Sequence, residues 1–545
     1  MFADRFQKVY GVPSTNRNNL NYMLPELNVT NIQLTKEEIF LALSSLNITK
    51  GVGPDQVPAS LLKNCAEALS LPLYYIFNKS LNTGAFPDQF KSSFLIPIYK
   101  NGCRSDVANY RGIAIISAIP KLFEKFVCSK LSEMVIPVMN DQQHGFLKSR
   151  STNTNLVIYT SKIMNQLESG KQIDSIYTDF SKASDRVNHE ILFHKLKALG
   201  VSGNLLHWLI SYLSNRTQQI KFQGKISKLV NVTSGVPQGS HLGPLLFNIF
   251  IKDLSIVLEG IDHIFYADDL KIFHTIHSEC DVNFLQDKIA ILKAWCDDNV
   301  LQLNVNKCHV ISFSRRNQKI IFDYKIDQEK LKRVKEVNDL GVILDEKLTF
   351  KPHFDFTLAR AYKILGFIKR RAKEFNNLWV TKTLYCSYVR SILEFASVVW
   401  MPYTDEYINR FESVQKQFLL FALRNYFNPK DFLNLPSYEV RLKIIELEPL
   451  HFRRNLLGAC FIFDILEGNI KVQQLNESVK FNTNRQTRHS KLLIEPFHNT
   501  SYGRNEPITR NIRLFNSFSS IYDSTNNNTK HTFKRKAKKL FNSSR

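Results

Sequence analysis

HIFYADDLKIFH, residues 263–274, sets two aspartates, Asp268 and Asp269, side by side between apolar flanks. Adjacent like charges repel, and an apolar setting raises the cost of keeping both ionised. A multivalent cation removes that cost. Mg²⁺ suits the task, because its usual shell is one or two carboxylates plus substrate phosphates and water. The stretch reads as two strands joined at a tight turn, a rigid way to aim two carboxylates into one cleft. DSIYTDF, residues 174–180, reads as a short buried strand with Asp179 near its end. A third carboxylate there would complete a two-metal site, in which an attacking oxygen is activated and a leaving oxygen stabilised. Isolated DD pairs are usually solvated surface turns; the flanks IFY and LKIF argue against a fully exposed turn here.

The chain has 545 residues, with Lys plus Arg at 72 against 49 for Asp plus Glu, a formal charge of +23. Such an excess predicts a polyanionic partner, either nucleic acid or an anionic membrane surface. No stretch reaches the roughly 18 apolar residues of a spanning helix, and MFADRFQKVYG at the start has no apolar signal core. No membrane role is therefore expected. The 8 cysteines form no CxxC pair. That argues against a zinc knuckle or a disulfide framework and for a reducing, intracellular compartment.

Residues 1–33 are polar and Asn-rich, with little periodicity. TKEEIFLALSSL opens with a capping-box pattern, Thr35 and Glu38, and predicts a helix. SSFLIPIYKNG predicts a strand, and KASDRVNHEILFHKLKALG one helix ended by Gly200. RTQQIKFQGKISKLVNV predicts a hairpin around Gly224. Leu285, Ile289, Leu292 and Cys296 fall at helical spacing. CHVISFS and LGVILD read as strands, and from residue 351 the pattern is mostly helical. Intermixed strands and helices followed by helices alone predict α+β and then α.

FYADDL resembles the Tyr-x-Asp-Asp signature of reverse transcriptases. It is joined in order by KGVGPDQVP, LIPIYKNG, NYRGIAIIS and QHGFLKSRST upstream. YTDFSKASDRVNHEILFHKLKALG, SGVPQGSHLGPLLFNIFIKDL, LQLNVNKCHVISF and LGVILD surround it, and LYCSYVRSILEFASVVWMPY follows. This ordered set, over roughly residues 35–470, is similar to the polymerase of non-LTR (LINE-type) retrotransposons, jockey-like in kind. The resemblance implies a right-hand α+β fold: fingers, a palm with a small antiparallel sheet, and a helical thumb, followed by a mostly helical C-terminal region. It divides the chain into an N-terminal extension (1–33), fingers and palm (34–350, core about 80–345), thumb (351–430) and a basic C-terminal region (431–545).

The resemblance also implies the chemistry: a primer 3′-OH attacks the α-phosphate of a dNTP on an RNA template, and pyrophosphate leaves. Asp179, Asp268 and Asp269 match the metal-binding carboxylates, with the Phe180 carbonyl as an extra ligand and two Mg²⁺ (or Mn²⁺) ions as cofactors. Lys100 and Arg111 match the finger cations that hold the triphosphate. Gln238 and Gly239 match the loop that touches nucleotide and template. Lys307 matches a general acid for the pyrophosphate, and the LGVILD turn around Gly341 matches the primer grip. Two basic clusters fit backbone phosphates: Lys369, Arg370, Arg371 and Lys373, and then Lys534, Arg535, Lys536, Lys538 and Lys539. Residues 481–545 hold 13 Lys or Arg against 3 Asp or Glu, which predicts a nucleic-acid-binding tail. The KRKAKK run also suits nuclear import, and action in the nucleus is expected.

Some positions depart from the pattern. Ser184 stands where a Phe or Tyr packs against the sugar, and Gly112 where a Pro is common. An endonuclease usually precedes the polymerase in this family, and this chain is expected to lack one. Neither a Cys-His knuckle nor an RNase H pattern is found. Two readings stay open: an active RNA-directed DNA polymerase, or a decayed copy that still folds and binds nucleic acid. A nucleotide cyclase, another palm enzyme, fails on motif order and on the basic helices.

Overall fold

The structure, a computed structural model, describes residues 1–7, 9–10, 27–372, 374, 377–424, 436–482, 491–522 and 529–543. Its strands are β1 (Ser92–Tyr99), β2 (Tyr110–Ile116), β3 (Gln172–Thr178), β4 (Arg216–Phe222), β5 (Lys225–Val232), β6 (Asp262–Tyr266), β7 (Asp269–Ile276), β8 (His309–Phe313), β9 (Lys325–Ile326), β10 (Glu329–Lys330), β11 (Lys332–Arg333), β12 (Glu336–Asp339) and β13 (Val342–Asp345). They form a four-stranded sheet β2-β1-β4-β5, a five-stranded sheet β11-β8-β3-β7-β6, and two ribbons. From Lys351 onward the elements are helices. The expected α+β class with a helical C-terminal region is the fold observed.

β3 lies at the centre of the palm sheet, antiparallel to both β7 and β8. Every one of its residues is buried, and its polar side chains find partners there, as Asp174 does by accepting from Ser312 and Tyr324. Its register sets Thr178 against Leu270 and Tyr177 against Lys271. The strand end before Asp179 therefore lies beside the β6–β7 turn. That turn carries Ala267 at φ +57°, a left-handed conformation uncommon for a residue with a Cβ.

The turn is braced from outside by QHGF. Gln143 Oε1 accepts the amides of Gly145 (2.7 Å) and Ala267 (2.9 Å), and Phe265 O accepts the His144 amide (3.0 Å). A Cβ on Gly145 would lie 2.2 Å from the Ala267 nitrogen, so only glycine allows this approach.

Helices Ala66–Thr83, Ala118–Val135 and Gly203–Leu213 share one hydrophobic cluster. Phe77 and Phe123 stack with ring centroids 4.2 Å apart, and Trp208 lies edge-on to Phe123. The hairpin expected around Gly224 forms, with Gln223 and Gly224 both at positive φ. The predicted helix over 281–296 is Glu279–Asp298 and buries all four residues of its apolar stripe.

Three expectations change. The single helix read in KASDRVNHEILFHKLKALG is two, Ala183–Arg186 and His189–Ala198. Asn188 caps the second by accepting the Ile191 amide, and a capping side chain needs non-helical backbone at its own position. Residues 1–33 are not plain polar extension: Phe2–Gln7 is a helix that buries Ala3 and Phe6 against Leu95, Ala114, Ile220 and Val230 of the four-stranded sheet.

The basic tail is also a core element. Ile512, Phe515, Phe533 and Ala537 join the hydrophobic cluster that runs through the helices after 351. Arg510 is buried and donates to the carbonyls of Val398 (2.8 Å) and Val399 (2.9 Å), while Thr500 donates to Glu168 (2.9 Å) on the palm helix Thr152–Glu168. That cluster also spans residues on both sides of 430, so the core continues across the expected thumb boundary.

Candidate active site

A cleft of about 810 Å³ opens between the two sheets. Lys100 follows the end of β1, and Arg111 sits on β2, its antiparallel partner. Asp179 and Phe180 follow β3, Ser184 lies on the short helix after them, and Asp268 is in the β6–β7 turn. Gln238, Gly239 and Lys307 line the same cavity, so that of the residues expected to make up the catalytic and nucleotide-binding site all but Asp269 come together here. Asp269 begins β7 and is not among the lining residues.

The carboxylates crowd one another. Asp268 and Asp269 both touch water, yet the protein mass around the turn still weakens their solvation. Burial raises Asp268 first, repulsion from Asp179 adds to it, and Arg111 and Lys100 pull the other way. Asp269 is pushed up to about 6, by burial first and then by Asp268 and Asp339. Asp179 faces Lys307, whose Nζ donates to Oδ2 at 3.0 Å. Lys100 is lowered by burial and by the neighbouring Arg111 and Lys307. Negative and positive groups thus share one cleft without cancelling pairwise, except at Asp179–Lys307.

The loop that carries Gln238 is fitted to its neighbours through backbone. Gln238 O accepts the Ala114 amide at 2.7 Å. Gly239 has φ +119°, and a Cβ there would lie 2.6 Å from Ala114 O. Phe180 keeps its ring in the core, 4% exposed, so its part in the cleft is backbone. Gly112 would press a Cβ into Leu95 at 2.8 Å, which suits glycine on that strand.

Several lining residues were not found in the sequence. Arg5, Phe6 and Val9 reach the cleft from the N-terminal segment; the only signal was the helical spacing of Phe2 and Phe6. Lys182, Asp185, Arg186 and Asn304 also line it. Asp185 was visible only as part of a motif, with nothing to mark its partner.

The two basic clusters lie elsewhere. Lys369, Arg370 and Arg371 occupy the last turn of the helix Lys351–Arg371, and Lys373 lies outside the described residues. Lys534, Arg535, Lys536, Lys538 and Lys539 lie on Lys530–Ser543. Lys538 pairs with Glu448 at 2.5 Å, while Arg535 and Lys539 are exposed. Leu340 and Gly341, both at positive φ, turn β12 into β13, and Gly341 lines a smaller cavity of about 250 Å³ with Phe356, Arg360 and Phe395.

Among the described residues, no group of three or more His, Cys, Asp or Glu side chains stands ready to hold a metal. No helix among them is long and apolar enough to cross a membrane.

Residues 98–344 match the family model for reverse transcriptases, described as RNA-dependent DNA polymerases. The chain is 27% identical over 399 residues to "Probable RNA-directed DNA polymerase from transposon BS" of Drosophila melanogaster, covering 70% of this chain and 44% of that protein. It is 29% identical over 333 residues to "RNA-directed DNA polymerase from mobile element jockey" of Drosophila funebris, covering 59% of this chain and 36% of the relative. The chain therefore spans less than half the length of these relatives. A solved apo telomerase from Candida tropicalis, truncated from its C-terminal domain, aligns with a TM-score of 0.35 at 13% identity, over 54% of this chain and 60% of that one.

Proposed function

We propose that this chain, whose residues 98–344 are a reverse transcriptase domain of the jockey-like non-LTR retrotransposon kind, extends a DNA primer with dNTPs on an RNA template by a two-metal mechanism. One observation carries the reading. A single cleft collects Asp179 and Asp268, two finger cations and the Gln238 loop from separate segments of the chain.

The donor set fits divalent metal. Asp268 and Asp269 are both raised by burial and then by neighbouring carboxylates, Asp179 beside the first and Asp268 beside the second, a cost that a cation removes. Mg²⁺ takes one or two carboxylates and fills the rest of its shell with phosphate and water, so a closed protein cage is not required. Asp179, Asp268, Asp269 and the Phe180 carbonyl would hold the ions, with Mn²⁺ as an alternative. When bound, the metal supplies activation of the attacking hydroxyl and stabilisation of the leaving oxygen.

The chain's own residues do the rest. Arg111 offers a planar fork to phosphate oxygens, and Lys100 a point charge. Lys307 exchanges Asp179 for the phosphates and gives its proton to the departing pyrophosphate. Gln238 and Gly239 meet the nucleotide from the loop packed against Ala114 of β2. Arg370, Arg371, Arg535 and Lys539 follow the nucleic-acid backbone, and the enzyme acts in the nucleus.

The test is extension of a DNA oligonucleotide on homopolymeric RNA with Mg²⁺. Template-directed incorporation that stops on chelation is the expected result. Ser184 favours one other reading, a copy that folds and binds but no longer polymerises; binding without incorporation in the same assay would select it.

A further inference from the structure

We propose that Asp185 is a positioning residue for the incoming nucleotide: its carboxylate holds the side-chain amide of Gln238 so that the amide oxygen is turned toward the cleft. This deepens the proposed function and rests on it.

Gln238 Nε2 donates to Asp185 Oδ1 at 3.1 Å. A carboxylate can only accept, so the NH₂ end of the amide must face it and the carbonyl end must face away. Both residues line the cavity. Swapping the two ends of the amide would bring its oxygen against the Asp185 oxygen, so the pair fixes one of two flips.

The backbones of the two segments are locked together around the pair. The Val236 amide donates to Ser184 O and the Gly235 amide to Val187 O, both at 2.8 Å, and Ser234 Oγ donates to Asp185 O at 2.8 Å. Gly235 has φ +84°, and a Cβ there would lie 2.5 Å from Asp185 O. Two zipped segments leave the Gln238 side-chain torsions as the free variable, and Asp185 removes that freedom. Preorganisation of this kind lowers the entropy lost when a ligand binds.

The surroundings explain why an acid stands here. Burial pushes the Asp185 carboxyl up to about 6, and Lys182, Gln238 and Arg111 oppose the shift. The group is thus kept in the cleft wall at a cost in solvation, with one side-chain hydrogen-bond donor, Gln238, in place.

The experiment compares Asp185→Leu, Asp185→Asn, Gln238→Ala and the double variant Asp185→Leu/Gln238→Ala in the full chain. Three quantities are read: KM for dNTP, kcat, and nucleotide affinity of a complex with a dideoxy-terminated primer, with Tm as the check on folding. Asp185→Leu raises KM and weakens capture about tenfold while kcat changes less, the pattern of lost binding. Asp185→Asn keeps an acceptor oxygen and recovers most of that loss. The double variant is no worse than Gln238→Ala alone, because both remove one unit. Unchanged KM in Asp185→Leu, an Asn variant as poor as Leu, or fully multiplicative effects would each overturn the inference. A natural chain that neither extends a primer nor captures nucleotide overturns the function and this inference together. A natural chain that does both, with Asp185→Leu behaving like it, overturns this inference alone.

Discussion

Ser184 and Asp185 are neighbours with different histories in the reading of this chain. Ser184 was legible from the sequence, because the resemblance assigns its position a ring that excludes a ribose 2′-OH. It lines the cleft, half-buried. A serine leaves space there and can itself hydrogen-bond a hydroxyl, so discrimination between sugars is predicted to be relaxed. Incorporation of rNTPs and dNTPs by the natural chain and by Ser184→Phe measures this: the natural chain accepts rNTPs and the variant rejects them. Equal rejection by both would remove position 184 from sugar selection. Asp179 and Asp268 were legible for a different reason: Asp268 stands beside Asp269 between apolar flanks, and Asp179 stands near the end of a predicted strand that could bring a further carboxylate to the same site. Asp185 was not, since its meaning depends on Gln238, and no local pattern joins two residues 53 positions apart.

The β12–β13 hairpin shows what elements add. Asp339, next to its turn, is 5% exposed and pairs with Lys271, 1% exposed, at 2.7 Å. Lys271 lies two residues after Asp269 on β7, donates also to Asn155 Oδ1, and sits over the Tyr159 ring. Tyr177 OH donates to the same Asp339 oxygen at 3.1 Å. A buried ion pair that loses one partner leaves an uncompensated charge. Lys271→Met is therefore expected to destabilise the chain by roughly 3–5 kcal/mol, and Lys271→Met/Asp339→Leu to recover most of it. Denaturant midpoints measure both; a double variant as unstable as the single would contradict the pairing.

The next helix grips the same hairpin. His353 Nδ1 accepts the Ile343 amide at 3.2 Å, and burial pushes the imidazole down to about 4. Between that value and the ordinary His range near 6.5, the unfolded chain binds a proton that the folded chain does not. Stability is thus full above about 6.5 and falls as pH drops toward 4. His353→Leu is expected to flatten this slope by up to about 1.4 kcal/mol per pH unit, read as Tm against pH; an unchanged slope would contradict it. The helical stripe over 281–296 was legible because one period ran through Leu285, Ile289, Leu292 and Cys296. The break at Val187 and Asn188 was not, because either side reads as helix and only the cap stops it.

On the scale of the whole chain, the tail was read for its charge, and the structure gives it a second task. Charge is visible in composition, whereas the packing of Phe515 and Phe533 on the helix Leu450–Leu466 depends on contacts distant in sequence. Deleting 481–545 would strip a core face and lower Tm, so deletion is a poor test of nucleic-acid binding. Arg535→Gln with Lys539→Gln is the cleaner one. If both meet phosphates, the slope of log affinity against log salt becomes shallower by roughly 0.7–0.9 per lost contact; an unchanged slope would remove this helix from the interface. The central claim is that the crowded carboxylates make the polymerase while other groups hold the nucleic acid. Its most direct test is primer extension and primer-template binding measured side by side for the natural chain, Asp179→Asn and Asp268→Asn. The account predicts extension by the natural chain, loss of synthesis in both variants, and nearly unchanged binding. Near-natural extension by Asp268→Asn would contradict it.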